Sequence, residues 1–211
     1  MAGGIFSGAN PSFVARELAY QLKDSGASFM LAADASMDIA VEAAKEVGIA
    51  KDRIYSFDAT ALDAAPGKTQ HGTKHWTSLL ASQEDAEKFE WVEPADGKTT
   101  TCCLNYSSGT TGVPKGVEIT HHSYVANGVG VIGVLELKPD FEDFKRRSRG
   151  LCFLPMYHAY GQTYFAVNLP KMGIPVYIMP KFDFLQLLTY VQKYRITSLT
   201  CKPPPCCPSP L

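Results

Sequence analysis

The feature that most constrains the fold is a run of small and hydroxyl-bearing residues near the middle of the chain, Ser107–Gly116. It reads Ser-Ser-Gly-Thr-Thr-Gly-Val-Pro-Lys-Gly, with apolar, strand-like sequence on both sides. Glycines let a backbone approach a bulky anion, consecutive amides can form an anion-binding nest, and hydroxyls add adjustable donors. Lys115 adds a mobile positive charge. The run therefore predicts a loop that binds a polyphosphate.

The run differs from a Walker A loop, in which Gly-Lys is followed by Ser or Thr at the start of a helix. Here Pro114 precedes Lys115 and Gly116 follows it. We expect one strand over 102–106 and another over 117–119, so that the loop closes a strand–loop–strand clamp. The alternative for a run of this composition is an ordinary surface loop.

Two motifs in this chain resemble those of one enzyme superfamily. The stretch from Tyr106 to Thr120, with His-His-Ser-Tyr after it, resembles the phosphate-loop signature of the adenylate-forming, AMP-binding enzymes, which include acyl-CoA synthetases and 4-coumarate–CoA ligases. The run Leu154–His158 (Leu-Pro-Met-Tyr-His) resembles the second signature of the superfamily. Agreement between two spaced signatures disfavours an unrelated phosphate-binding module, which is the alternative from a different class.

The resemblance implies an α/β fold, namely part of the large N-terminal domain of these enzymes. That domain has a doubly wound sheet with helices on both faces, together with the strand–loop–strand phosphate clamp. The residue pattern agrees, because helical and strand-like segments alternate, which is typical of a parallel sheet. Helices are expected over 11–25 (capped by Asn10), 36–47, 76–80, 121–135, 162–172 and 182–195, and strands over 28–32, 53–58, 150–155, 174–179 and 196–200.

The chemistry implied by the resemblance is a two-step reaction. A small-molecule carboxylic acid attacks the α-phosphate of ATP, and the resulting acyl-adenylate passes its acyl group to CoA. ATP, magnesium and CoA are therefore the implied cofactors. Because the attack brings two anions together, the site has to offset negative charge and align the reactants. Magnesium on the phosphates would share that work, and we assign no residue as its ligand.

Site residues follow from the same resemblance. The phosphate-binding set is Ser107, Ser108, Gly109, Thr110, Thr111, Gly112 and Lys115. Lys115 and His158 are the candidate catalytic residues, with His158 beside the acyl-adenylate. Tyr160 and Tyr164 match positions that line the acyl pocket of 4-coumarate–CoA ligases, and Lys181 resembles a lysine that contacts CoA. Structural alternatives stay open: His158 as a structural histidine, Tyr164 as a core aromatic, and Lys181 as a surface charge at a helix start.

The extent of the resemblance leaves two functional hypotheses. It covers Gly3 to about Thr200, so we predict a partial AMP-binding domain over 1–200 and an extended, Pro/Cys-rich tail over 201–211. Members of the superfamily are more than twice as long, and their adenine-binding, ribose-binding and C-terminal catalytic segments have no counterpart here. The chain is thus predicted to be either an acyl-CoA ligase-type enzyme or a catalytically inactive remnant with at most residual phosphate binding. Whether it is an enzyme stays open.

Composition excludes several partners. A net charge of −1 gives no electrostatic case for nucleic acid, and no apolar run predicts a transmembrane segment. The six cysteines lack zinc spacing and are expected to be free thiols. We predict a cytoplasmic protein, because the start lacks a secretory signal and the final Ser-Pro-Leu lacks the basic residue of a peroxisomal Ser-Lys-Leu. A peroxisomal location stays open for full-length family members.

Overall fold

The structure is a computed structural model that describes residues 3–58, 69, 71–107 and 112–200. The chain divides into two compact units, residues 1–120 and residues 121–211. Each unit has strands, helices and a hydrophobic core of its own. The predicted tail over 201–211 lies outside the described residues.

The first unit alternates strands and helices, as predicted. Its elements are β1 (Phe6–Ser7), α1 (Ala15–Ser25), β2 (Met30–Ala33), α2 (Met37–Val47), β3 (Ile54–Phe57), β4 (Lys74–His75), α3 (Gln83–Glu87), β5 (Thr101–Ser107) and β6 (Lys115–Thr120), with 3-10 turns at Asp34–Ser36, Lys51–Arg53 and Trp76–Leu79. Strands β2, β3 and β4 are parallel neighbours. A second sheet has the order β1-β5-β6, with β1 parallel and β6 antiparallel to β5.

Helix α1 begins later than the sequence predicted. The side-chain oxygen of Asn10 accepts a hydrogen bond from the Ser12 amide in a local turn instead of capping the helix. The helix starts after Val14, whose amide donates to the Glu17 carboxylate at 3.1 Å. The predicted end is confirmed, because Gly26 adopts a φ of +63°, the left-handed conformation that glycine tolerates.

The core of the first unit lies between the two amphipathic helices and the β2–β3 pair. Small side chains on α2 allow it to pack closely on α1, since Ala40, Ala43 and Ala44 place little between the two backbones. The buried residues are Leu18, Ala19, Leu22, Met30, Ala32, Met37, Ala40, Ala43, Ala44 and Ile54. This cluster fixes α1 firmly to the sheet that follows it.

The second unit is built around one parallel pair of strands. Its elements are α4 (His121–Glu136), α5 (Phe141–Arg147), β7 (Gly150–Cys152), α6 (Ala159–Thr163), a π-helical turn (Tyr164–Asn168), α7 (Leu169–Lys171), β8 (Val176–Ile178) and α8 (Phe184–Tyr194). Strand β7 pairs with β8, and the strand predicted over 196–200 is reduced to one bridge between Gly150 and Ser198. The helix predicted over 162–172 forms, but it is interrupted by the π-helical turn that precedes Pro170. The regular hydrogen-bond pattern breaks there because proline has no amide hydrogen to donate.

Helices cover both faces of β7, because successive side chains of a strand point to opposite sides. Cys152 packs with Phe165 and Leu169 on one side, whereas Leu151 packs with Met179 and Leu187 on the other.

The predicted α/β fold class and the two antiparallel strands of the clamp are confirmed, although the hydrogen-bonded strands within the described ranges form three short sheets. On α8, Leu187 is buried, whereas Phe184 is 63% exposed and Leu188 is 50% exposed. Within the part of the chain that the structure describes, no helix is both long and apolar enough to span a bilayer.

Candidate functional site

The predicted strand–loop–strand clamp is present in the first unit. Strands β5 and β6 run antiparallel, with Ser107 opposite Lys115 and Tyr106 opposite Gly116 at the mouth of the loop. Gly112 has a φ of +87°, which a residue with a side chain rarely adopts. The other predicted loop residues, Ser108, Gly109, Thr110 and Thr111, lie outside the described residues.

Lys115 and Ser107 are the phosphate-binding candidates whose surroundings can be seen. Both are exposed at the ends of their strands. Among the described residues, Lys115 has no ion-pair partner. Its ammonium group is therefore available for an anion at the mouth of the clamp.

Each stem of the clamp is also held by helix α1. The Tyr106 hydroxyl donates to the Asp24 carboxylate at 2.6 Å, and the Tyr20 hydroxyl donates to the Pro114 carbonyl at 3.0 Å. Burial, and then the Asp24 hydrogen bond, raise the pKa of Tyr106 well above its usual value, so the hydroxyl stays a donor. The sequence reasoning missed Tyr20 and Asp24, which lie far from the loop in sequence and belong to no motif.

The tyrosine ring crosses the neighbouring strand at a glycine. A Cβ placed on Gly116 would lie 3.1 Å from both the Tyr106 Cζ and its hydroxyl oxygen. That distance is closer than such contacts ordinarily come. The absence of a side chain at this position therefore lets the Tyr106 ring lie across β6 and reach Asp24.

The second signature lies beyond the carboxyl end of β7, where open α/β sheets place ligands. His158 precedes α6, and its Nδ1 accepts a hydrogen bond from the Tyr160 amide at 3.3 Å. When Nδ1 accepts in a neutral imidazole, Nε2 carries the proton and is the donor. His158 is exposed, so the structural role as a helix cap and a role toward a ligand are both compatible with its position.

The two predicted pocket tyrosines form one aromatic cluster. The Tyr160 and Tyr164 rings stack with centroids 5.4 Å apart and planes at 25°. Phe165 meets both rings edge-on. Tyr164 also packs against the buried cluster that contains Cys152. It is therefore a core aromatic residue, the structural alternative given for it above, as well as a neighbour of Tyr160. Burial raises the pKa of the Tyr160 hydroxyl above its usual value.

Lys181 lies after β8 and before α8. It is exposed and, within the described ranges, forms no ion pair. Helix α8 begins at Phe184 and is capped by Asp183, whose carboxylate accepts from the Gln186 amide at 2.7 Å. Because β7 and β8 are parallel, their carboxyl ends share one edge, so Lys181 and His158 follow the same edge of this sheet.

The described residues offer no cluster of three or more His, Cys, Asp or Glu side chains able to hold a metal ion. Magnesium typically keeps several waters and is held largely by substrate phosphates in phosphoryl sites.

Comparison with known proteins agrees with the two signatures. A family model described as AMP-binding enzyme matches residues 1–205. The chain is 34% identical over 203 residues to the acyl-CoA ligase azaF of Aspergillus niger, covering 96% of this chain and 36% of that protein. It is 28% identical over 206 residues to 4-coumarate–CoA ligase 4 of Arabidopsis thaliana, covering 96% and 34%. The predicted resemblance is confirmed.

A solved structure supports the fold. The natural red-emitting luciferase of Phrixothrix hirtus matches 92% of this chain and 44% of its own, with a TM-score of 0.72 and 24% identity. At this identity the likeness shows the fold alone. The chain spans about a third of the length of the curated relatives it matches. Because the family model matches nearly the whole chain, the chain belongs to the family of AMP-binding enzymes.

Proposed function

We propose that the chain carries the phosphate-binding and acyl-binding part of an ATP-dependent acid–thiol ligase, which activates a carboxylic acid as its adenylate and transfers the acyl group to CoA. The observation that carries the proposal is the clamp, in which Lys115 faces Ser107 across the loop mouth without an ion-pair partner among the described residues. A lysine held at a strand end beside a glycine-rich loop is suited to a phosphate.

In this proposal Lys115 offsets the negative charge on the β- and γ-phosphates. Ser107, together with Ser108, Thr110 and Thr111, donates hydroxyl hydrogen bonds to the phosphate oxygens. ATP bound with magnesium supplies the electrophilic α-phosphorus, and the chain contributes orientation and charge. Gly109 and Gly112 allow the backbone to approach the phosphates closely.

The second unit would bind the acyl group. His158 donates from Nε2 toward the carboxylate or the adenylate, because its Nδ1 is already an acceptor. The stacked rings of Tyr160 and Tyr164 offer an apolar surface for an aryl or fatty chain. Lys181 contacts CoA, whose phosphates suit an exposed cation.

The first test is binding of magnesium–ATP to the 211-residue chain, measured by calorimetry. We expect Lys115→Ala to weaken binding by about ten- to a hundredfold, since a hydrogen bond to a charged group contributes about 1.5–3 kcal/mol. Lys98→Ala is the matched control, because it removes the same charge from an exposed site of the same unit. Equal affinity of the two variants would contradict the proposal.

The second test is ATP–pyrophosphate exchange with a panel of aryl and fatty acids. Exchange that disappears in Lys115→Ala would support adenylation by this chain. Lys115-dependent ATP binding without exchange from any acid would support the alternative, a phosphate-binding chain without catalysis. A folded sample with neither binding nor exchange would refute the proposed function.

A further inference from the structure

We propose that helix α1 is the support that sets the geometry of the phosphate clamp, with Tyr20 and Asp24 as its positioning residues; the proposal rests on the phosphate-binding function proposed above. The two residues are four apart on one helix, so they lie on the same face, one turn apart. One holds the stem that enters the loop and the other holds the stem that leaves it.

The two contacts reach the residues next to the proposed phosphate ligands. Asp24 accepts from Tyr106, which directly precedes Ser107. Tyr20 donates to the carbonyl of Pro114, which directly precedes Lys115. A shift of either stem would therefore move a proposed ligand by a comparable distance.

The helix is a fixed reference for these contacts. Leu18, Ala19 and Leu22 on its inner face are buried in the core of the first unit. Between the two positioning residues lies Gln21, which is 4% exposed. Its amide nitrogen donates to the Ser7 hydroxyl at 3.0 Å and to the Gly8 carbonyl at 3.1 Å.

The Gln21 contacts connect helix α1 to the sheet that carries the clamp. Ser7 belongs to β1, which pairs with β5 next to the clamp. Helix α1 is thus joined to the β1-β5-β6 sheet at three points: the end of β1, the end of β5 and the residue before β6. Three separated attachments fix both the position and the tilt of the helix relative to the loop stems.

The Tyr20 contact has a further electrostatic consequence. A carbonyl oxygen is a hydrogen-bond acceptor and repels phosphate oxygens when it faces them. The Tyr20 hydroxyl engages the Pro114 carbonyl from the side of α1. It therefore keeps this acceptor oriented toward the helix, next to the proposed cation Lys115.

These contacts are better suited to positioning than to stabilising the fold. Both hydrogen bonds lie at the protein surface, where the gain over bonds to water is small. Binding of a phosphate group, in contrast, is sensitive to displacements of a fraction of an ångström in the donors. Loss of either contact should therefore weaken phosphate binding more than it lowers stability.

The test uses the 211-residue chain and magnesium with tripolyphosphate, a probe that needs no adenine or acyl site. We expect Tyr20→Phe and Asp24→Ala each to weaken binding by about three- to tenfold, because displaced stems should cost about one ordinary hydrogen bond between the loop and the phosphate. Asp24→Asn removes the same charge as Asp24→Ala but keeps an acceptor for Tyr106, so it should bind like the wild type. Midpoints of thermal unfolding should stay close to that of the wild type.

Tyr55→Phe is the matched control for Tyr20→Phe, since it removes a tyrosine hydroxyl from β3 of the same unit. Amide hydrogen exchange of the peptides covering β5 and β6, measured without ligand, should become faster only in Tyr20→Phe and Asp24→Ala. Lys115-dependent binding that is the same in both α1 variants as in the wild type would overturn this inference and leave the proposed function intact.

Two other results would also decide the question. Equal losses in Asp24→Asn and Asp24→Ala would show that the charge of Asp24 matters and its hydrogen bond does not, which overturns its positioning role. Wild-type chain that binds tripolyphosphate no better than Lys115→Ala would overturn the proposed function, and this inference with it.

Discussion

Replacing Gly161 with alanine should destabilise the second unit strongly. Gly161 lies in α6, and a Cβ built on it would overlap the Pro155 carbonyl oxygen and come within 3.0 Å of the Pro155 carbonyl carbon. Both atoms belong to the backbone, so no side-chain rotation relieves the overlap. The same carbonyl oxygen accepts a hydrogen bond from the His158 amide at 3.2 Å, which ties the clash to the loop that carries the proposed site residue.

The magnitude follows from what has to move. Overpacking of a tight site costs about 1–3 kcal/mol, and loss of the Pro155–His158 hydrogen bond adds about 1 kcal/mol. We therefore expect Gly161→Ala to lower the free energy of unfolding by about 2–4 kcal/mol. A smaller loss would mean that α6 can move away from Pro155, and that the contact does not fix the turn.

Urea unfolding followed by circular dichroism measures this change. Gly130→Ala is the matched control, because nothing lies within 4 Å of its added Cβ and the residue sits within helix α4. That substitution should stabilise the chain by about 0.5–1 kcal/mol, the usual gain of alanine over glycine in a helix. Equal unfolding free energies for the two variants would refute the argument from the Pro155 contact.

Two further predictions concern the first unit. Gly116→Ala should displace the Tyr106 ring and weaken tripolyphosphate binding about as much as Asp24→Ala does. The double variant should bind no worse than either single variant, because both substitutions remove the same hydrogen bond between Tyr106 and Asp24. Additive losses of affinity in calorimetry would contradict this. Burial, and then the neighbouring Cys102, raise the pKa of the Cys103 thiol from 9.0 to about 11. Its contribution to stability is therefore present below pH 9 and is lost as the pH rises toward 11. Between pH 8 and 11 the unfolding free energy of the wild type should fall by about 2 kcal/mol more than that of Cys103→Ala, and parallel pH profiles in urea would argue against a protonated, buried thiol.

The sequence was informative where a residue's own chemistry decides its conformation. Gly26 and Gly48 end α1 and α2 as predicted, because each adopts a positive φ that suits glycine. Ser82 caps α3, with its hydroxyl accepting from the Asp85 amide at 3.1 Å, as serine at this position of a helix commonly does. These local features need no information about distant parts of the chain.

The sequence failed where several local solutions compete. Asn10 was expected to cap α1 but closes its own turn, and the helix begins at the Glu17 contact instead. Helix α8 forms where a helix was predicted over 182–195, yet only Leu187 of its residues is buried in the described structure. Helical periodicity shows which side chains share a face, but it does not show how much of that face a neighbour covers.

The sequence by itself determined the family and most of the alternation of strands and helices, because both depend on residue types at fixed spacing. Tertiary structure decided how the loop is held. Tyr20 and Asp24 are separated from Pro114 and Tyr106 by more than eighty residues of chain, and only folding brings α1 beside the clamp. Hydrogen bonds between such distant residues depend on packing of the whole unit, and local sequence patterns carry no record of them.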